Sequence, residues 1–292
     1  MSFKIDNQYL DASLTGAARG ITGLPLEHPF DCVKTNWQAA PHLPSASKVA
    51  QQIYADKGIR GFYAGALPNG TRMVIKQSYR FPMMVSFPEF YSTRLPEGVK
   101  KNLPHAEDAL TGVTIASLES GVITPLERLK VMIMTSDKAN RSVLKFFSEN
   151  KSHVFQELFR GFKACFLRQV VTWSTFSVAD AFFKKKAREL TNKKEKEALD
   201  FPSLMGVSLL VGAVNTAAVM PFDFVKTQLQ KQNPLQQGVT STMRHFIKER
   251  GLSALYTGWR VKMVHYMLHS AYTVTLLDKL KVKWKSDKNE GS

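Results

Sequence analysis

Three carboxylate and lysine pairs stand at fixed distances behind a proline: Asp31 and Lys34 after Pro29, Glu127 and Lys130 after Pro125, Asp223 and Lys226 after Pro221. Successive prolines are 96 residues apart, so the chain holds three copies of one structural unit. Within a helix, the proline removes a backbone donor and kinks the chain. The acid and lysine beyond it share one face, where their own attraction is worth only about 0.2–0.5 kcal/mol. Pairing between copies makes better use of them. If the units close into a ring, Asp31 meets Lys130, Glu127 meets Lys226 and Asp223 meets Lys34. Three breakable charge pairs closing a ring have the chemistry of a gate.

A second set of polar residues follows each copy. Seven, eleven and fifteen residues after Gly65 come Arg72, Lys76 and Arg80, cations at helical spacing on one face. They lie mid-segment, where solvation requires a cavity, and this points to anion binding; a snorkelling or solvated face is the alternative. Seven after Gly161 stands Arg168, followed by Gln169. A planar guanidinium can grip a carboxylate with two hydrogen bonds, and the adjacent amide can serve a hydroxyl or keto oxygen. Seven after Gly258 stands His265. Imidazole is mostly uncharged at pH 7, so it gives a carboxylate less charge, and Lys262, a turn earlier on the same face, compensates. Ligand contact and plain packing are equal alternatives for His265.

Rigid elements must hold these groups in register. The pattern predicts a long helix over 8–38, bent at Pro29, whose Gly16, Gly20 and Gly23 allow close approach of another helix. A short amphipathic segment over 47–56 follows, then a glycine turn into a second long helix over 66–95. The plan recurs with a connector over 141–149 and a helix reaching Lys186, and again with a connector over 240–248 and a final helix after Gly258. One domain, 1–292, therefore divides into repeats 8–103, 104–199 and 200–292 with six long helices. An even number places both termini on the same side.

The totals agree with a partly lipid-facing bundle. A hydrophobic fraction of 44% and a mean hydropathy of −0.18 would suit a soluble protein, and only 201–222 runs more than twenty residues without a charge. Charges in the other candidate spans are expected to face an interior cavity. A net charge of +16 asks for an anionic partner. No zinc spacing, basic heptad or aromatic RNA-binding signature accompanies it, which argues against nucleic acid. Cys32 and Cys165 fit no metal or redox motif and read as small buried residues. The lysines at 184–186 and 193–196 read as a solvated helix end and loop, and no cleaved targeting signal is evident in residues 1–13.

Pro-x-Asp/Glu-x-x-Lys in three copies, each followed about thirty residues on by an aromatic-x-Gly turn at Gly65, Gly161 and Gly258, resembles the mitochondrial carrier family over essentially the whole chain. The resemblance implies an all-α membrane protein of six transmembrane helices in three pseudo-symmetric repeats, each with a short amphipathic matrix helix. It implies the inner mitochondrial membrane, both termini on the intermembrane-space side, and alternating access with the three charge pairs as matrix gate. Gln38 and Gln230 hold the position of a glutamine that braces the pair in the family, and Met134 replaces it in the second repeat. Cardiolipin is implied as bound lipid, with no metal or other cofactor. Arg168 with Gln169, the run Lys76-Gln77-x-x-Arg80-Phe81, and Glu119 look like the carriers of citrate and oxodicarboxylates; a satisfied polar residue between helices is the alternative for Glu119.

Two places depart from the family pattern. The sixth helix has His265 where many relatives have arginine. On the opposite, cytoplasmic gate, repeat three keeps Asp278 and Lys281, and repeat two has Asp180 one position early with Lys184 in place. Repeat one has Val85 and Pro88, without a pair. The expected function is exchange of small di-, tri- or oxo-carboxylates, not enzymatic catalysis. The competing expectation is a carrier-fold accessory subunit associated with a respiratory-chain complex.

Overall fold

The computed structural model describes residues 7–96, 98, 106–135, 143–192, 199–231 and 238–289. Six long helices dominate: α1 (Asn7–Ala39), α3 (Ala66–Arg94), α4 (Ala106–Thr135), α7 (Phe162–Leu190), α8 (Phe201–Gln230) and α10 (Trp259–Asn289). Short helices link the members of each pair: α2 (Ala46–Lys57), α5 (Val143–Glu149) with α6 (Val154–Leu158), and α9 (Val239–Arg250). Among the described residues no strand occurs. α1, α4 and α8 each run unbroken through the motif proline. Each long helix packs on its neighbours in chain order, and α10 returns to α1, which closes the ring.

The three aromatic-x-Gly turns do the same job by the same geometry. Gly65, Gly161 and Gly258 have φ of +74°, +82° and +85°, a region that costs other residues about 1–2 kcal/mol. A Cβ there would also meet the next repeat, 3.0 Å from the Lys130 carbonyl at position 65, 2.9 Å from Gln230 Cγ at 161 and 3.3 Å from Lys34 Cγ at 258. The turn that starts each second helix is thereby wedged against the motif end of the following copy.

Orphan carbonyls at the ends of the motif helices are capped across repeats by cations, as the helix dipole favours. Lys57 Nζ donates to the Met134 carbonyl at 3.3 Å and Lys231 Nζ to the Ala39 carbonyl at 3.2 Å. At the end of α8, Arg128 donates to the Gln230 carbonyl (2.8 Å) and Arg160 to those of Leu229 (3.2 Å) and Lys231 (2.6 Å). Glu157 on α6 holds both arginines at 2.8 Å. Burial alone would raise its carboxyl, but the Arg128 hydrogen bond and the Arg160 charge outweigh that and hold it below the ordinary carboxylate range.

Beside an apolar core that includes Ile115, Met220 and Phe224, part of the side-chain distribution is inverted relative to a water-soluble bundle. Arg19, Glu27, Asp31 and Lys34 of α1 are buried, while Leu14, Ile21 and Leu26 of the same helix are exposed. Leu67 on α3 is 77% exposed and Val178 on α7 72%. Apolar groups outside and charges inside are what a lipid surround and a polar interior require. By length and composition, one described helix, Phe201–Gln230, is apolar enough to cross a membrane. The others fall short because their charges, needed inside, dilute the average.

Gly212 on α8 sits against α10 so closely that a Cβ would fall inside the Tyr266 ring. Replacing Gly212 by alanine should therefore lower the detergent-solubilised melting temperature, equivalent to about 1–3 kcal/mol. The double change with Tyr266→Ala should recover part of the loss; additive effects would contradict the contact.

Candidate functional site

All three cross-repeat pairs are formed at the motif ends of α1, α4 and α8. Lys34 Nζ lies 2.8 Å from Asp223 Oδ2, Lys226 Nζ 3.2 Å from Glu127 Oε2, and Lys130 pairs directly with Asp31. All six side chains are buried. Removing one partner of such a pair strands a buried charge, at about 3–5 kcal/mol.

The ring is three-fold in its pairs and asymmetric in its surroundings. Asp223 also holds Lys262 Nζ at 2.7 Å, and Arg168 Nε stands 3.7 Å away. Glu127 also takes Arg168 Nη2 at 3.1 Å and has Arg72 Nη1 at 3.8 Å. Cys165 Sγ donates to Glu127 at 3.1 Å. Asp31 has Lys130 as its ion-pair partner among the described residues. Lys262, expected to assist His265, instead rests on a ring carboxylate that already has its motif lysine.

Directly on the ring lies a cavity of about 240 Å³, reached by Arg72, Arg168, Lys262, His265 and His269 and floored by the paired acids and lysines. Lys76, Arg80 and Gln169, expected to bind the same ligand, do not line it. Gln169 Nε2 donates to Glu119 Oε2 at 2.6 Å, and Lys76 and Arg80 stand 3.7 and 3.4 Å from the same carboxylate. Arg80 also lies over the Trp173 ring at 4.5 Å. The reason is helical drift. Four residues advance about 400°, so each step of four turns about 40° further round α3. Arg72 faces the cavity, and the next two cations turn toward α4. Glu119 is thus a buried acid between helices, hydrogen-bonded by Gln169 and flanked by the two cations.

The glutamines also depart from expectation. Neither Gln38 nor Gln230 hydrogen-bonds a paired acid or lysine in the structure. Gln38 Oε1 accepts from Thr227 Oγ1 at 2.9 Å, and Gln230 Nε2 donates to Cys165 Sγ at 3.5 Å. Gln230 therefore reaches Glu127 only through the thiol. At the other end of the bundle, Lys184 pairs with Asp180 within α7 at 2.7 Å, four residues apart, and not across repeats. The side chains of Asp278 and Lys281 lie outside the described residues.

His265, expected at the ligand site, belongs to a group on α1 and α10 whose other members, Arg19, Glu27 and His269, lie outside the repeated motifs. Glu27 is buried, with Arg19 Nη2 at 2.5 Å, His269 Nδ1 at 3.1 Å and His265 Nε2 at 3.7 Å. Its signal was in the repeats. Two residues before the motif proline, the other copies have Ile123 and Val219, so Glu27 is a carboxylate at a position that is otherwise apolar.

Exchanging the charges of one pair should test the unequal surroundings. Asp31→Lys with Lys130→Asp should restore most of the melting temperature lost by either single change. Glu127→Lys with Lys226→Glu should restore much less, because Arg168 and Arg72 still face position 127. Equal recovery of the two swaps in a double-mutant cycle would refute this asymmetry.

A family model described as mitochondrial carrier protein matches residues 6–95, 101–189 and 197–288. Relatives include a mitochondrial 2-oxodicarboxylate carrier of Rattus norvegicus, 24% identical over 85% of this chain and 86% of that protein. A mitochondrial arginine transporter of Arabidopsis thaliana is 21% identical over 90% and 89%. A mitochondrial glycine transporter of Emericella nidulans is 25% identical over 94% and 90%. With a match to each of its three repeats and relatives covered almost end to end, the chain belongs to the mitochondrial carrier family.

Proposed function

We propose that this protein exchanges small di- or tricarboxylates across the inner mitochondrial membrane by alternating access, with its six long helices spanning the bilayer and both termini in the intermembrane space. One observation carries the substrate class: the cavity has three cations beyond those needed for neutrality. Each ring acid has its motif lysine and Glu27 has Arg19, which leaves Arg72, Arg168 and Lys262 in surplus. A ligand with two or three carboxylates matches that excess. The arginine and glycine named for two relatives show that family membership leaves the substrate open, so this reading rests on the charge count.

The same contacts suggest how binding opens the matrix gate. Without ligand, Arg72, Arg168 and Lys262 rest on Glu127 and Asp223. An entering carboxylate competes with those acids for the same cations. Drawing the cations upward leaves each ring acid with its motif lysine alone, so the gate loosens only when ligand is present to compensate. Differential affinity for that intermediate is what drives the change of state. Cardiolipin, bound by phosphate at the N-termini of the connector helices, is the lipid partner in this reading.

One observation favours the accessory-subunit reading: the Asp180–Lys184 pair stays within one helix, so it closes nothing between repeats. Counter-exchange decides between the two. Proteoliposomes loaded with malate, 2-oxoglutarate or citrate should exchange the external anion. Arg168→Ala should reduce the rate by roughly 30-fold or more, and Arg80→Ala, on Glu119, should affect KM far less. Absence of exchange with every carboxylate, alongside stoichiometric co-purification with a respiratory complex, would favour the accessory role.

A further inference from the structure

The Glu27 cluster is not used by the gate or by the surplus cations, and its geometry contains a conflict. His269 Nδ1 lies 2.5 Å from Arg19 Nη2, a donor, and 3.1 Å from Glu27 Oε2, an acceptor. One ring nitrogen cannot accept from the guanidinium and donate to the carboxylate at once. In the neutral ring with its proton on Nε2, Nδ1 accepts from Arg19. A proton delivered by water to Nδ1 makes the ring cationic, and Nδ1–H then donates to Glu27. The displaced Arg19 N–H has a ready acceptor in the His269 carbonyl, 3.2 Å away. Both hydrogen-bonding arrangements are therefore provided for, and protonation selects between them.

Access fits this role. The His269 side chain is 42% exposed and Glu27 3%, and both line the cavity. His265, a turn nearer the ring of pairs, stands 3.7 Å from the same Oε2 and offers a second stop for the proton. The remaining neighbours hold the cluster in place. Arg19 Nε donates to Thr273 Oγ1 at 2.7 Å, its guanidinium lies over Tyr272 at 5.8 Å, and Gly23 leaves room for the carboxylate. The same cavity is lined by His28 and Asp31 on α1, Arg72 on α3, Lys130 on α4, Asp223 and Lys226 on α8 and Lys262 on α10.

We propose that Glu27, His265 and His269 form a proton-binding site linked to the anion in the same cavity, so that a carboxylate is carried together with a proton. The inference rests on the anion-carrier reading for its cargo, but the site itself does not. Protonation adds one positive charge to the cavity and strengthens its hold on the anion. Release of the anion on the far side removes that support, and the proton returns to water. Imidazole suits the task because its protonation changes near neutral pH.

Two measurements test it on the full-length protein. In proteoliposomes, exchange of malate, 2-oxoglutarate or citrate should show a KM roughly tenfold lower at about pH 5.5 than at about pH 7.5. With a lumen held at about pH 7.5, acidifying the outside should speed the entry of external anion at subsaturating concentration. Both responses should flatten in His269→Gln. Wild-type exchange indifferent to pH and gradient, or an unchanged pH profile in His269→Gln, would overturn the proposal. The second measurement is the melting temperature in detergent over the same pH range without substrate, for wild type, His269→Gln and Glu27→Gln. A pH-dependent component present in wild type and missing from both variants supports the site even if no carboxylate is exchanged, in which case only the cargo assignment falls. Parallel profiles in all three proteins refute the site.

Discussion

Neutralising carboxylates where water cannot is the constraint on which this protein depends. Asp31, Glu127 and Asp223 sit at the convergence of three helices and are buried there. Each would be prohibitively unstable alone and is held by a lysine from another repeat. Fold and charge pairing are consequently inseparable. The glycine turns fix where each second helix starts, and the cationic caps hold the ends of the motif helices, so the lysines arrive at the acids of their neighbours.

Departures from three-fold symmetry are where this chain acquires its own chemistry. The position four residues after the turn glycine holds Asn69, Cys165 and Lys262, and the position seven after holds Arg72, Arg168 and His265. Around Asp31 the surroundings are therefore spare, and around Glu127 and Asp223 they are rich in cations. Near Asp31 stands the Glu27 cluster, in which Glu27 and Arg19 hold positions that are Ile123 and Ile115 in the second copy and Val219 and Val211 in the third, with His265 and His269 of α10 against them. A cavity lined this way combines fixed surplus charge with a titratable group.

A second buried charge centre, around Glu119, lies apart from the cavity. Gln169, Lys76 and Arg80 converge on it, and Arg80 is stacked on Trp173. It joins α3, α4 and α7 in the half of the bundle away from the Glu27 cluster. Two cations there share one carboxylate, and none of these groups lines the cavity.

Much was legible in the residues themselves. The 96-residue period, the proline motifs and the turn glycines determine the repeats, the helix positions to within a few residues and the identity of all three charge pairs, because these follow from local backbone chemistry and exact repetition. The direction in which a polar side chain points is another matter. Lys76 and Arg80 occupy the right periodic positions, yet about 40° of drift per step turns them to Glu119. Gln169 is adjacent to Arg168 and faces another helix, and Gln38 finds Thr227 before it finds an ion pair. His265 and His269 acquire a partner only because ring closure brings α10 against α1, some 240 residues earlier in the chain. Local spacing determines which face a residue occupies on its own helix, and the packing of the ring alone decides what stands opposite.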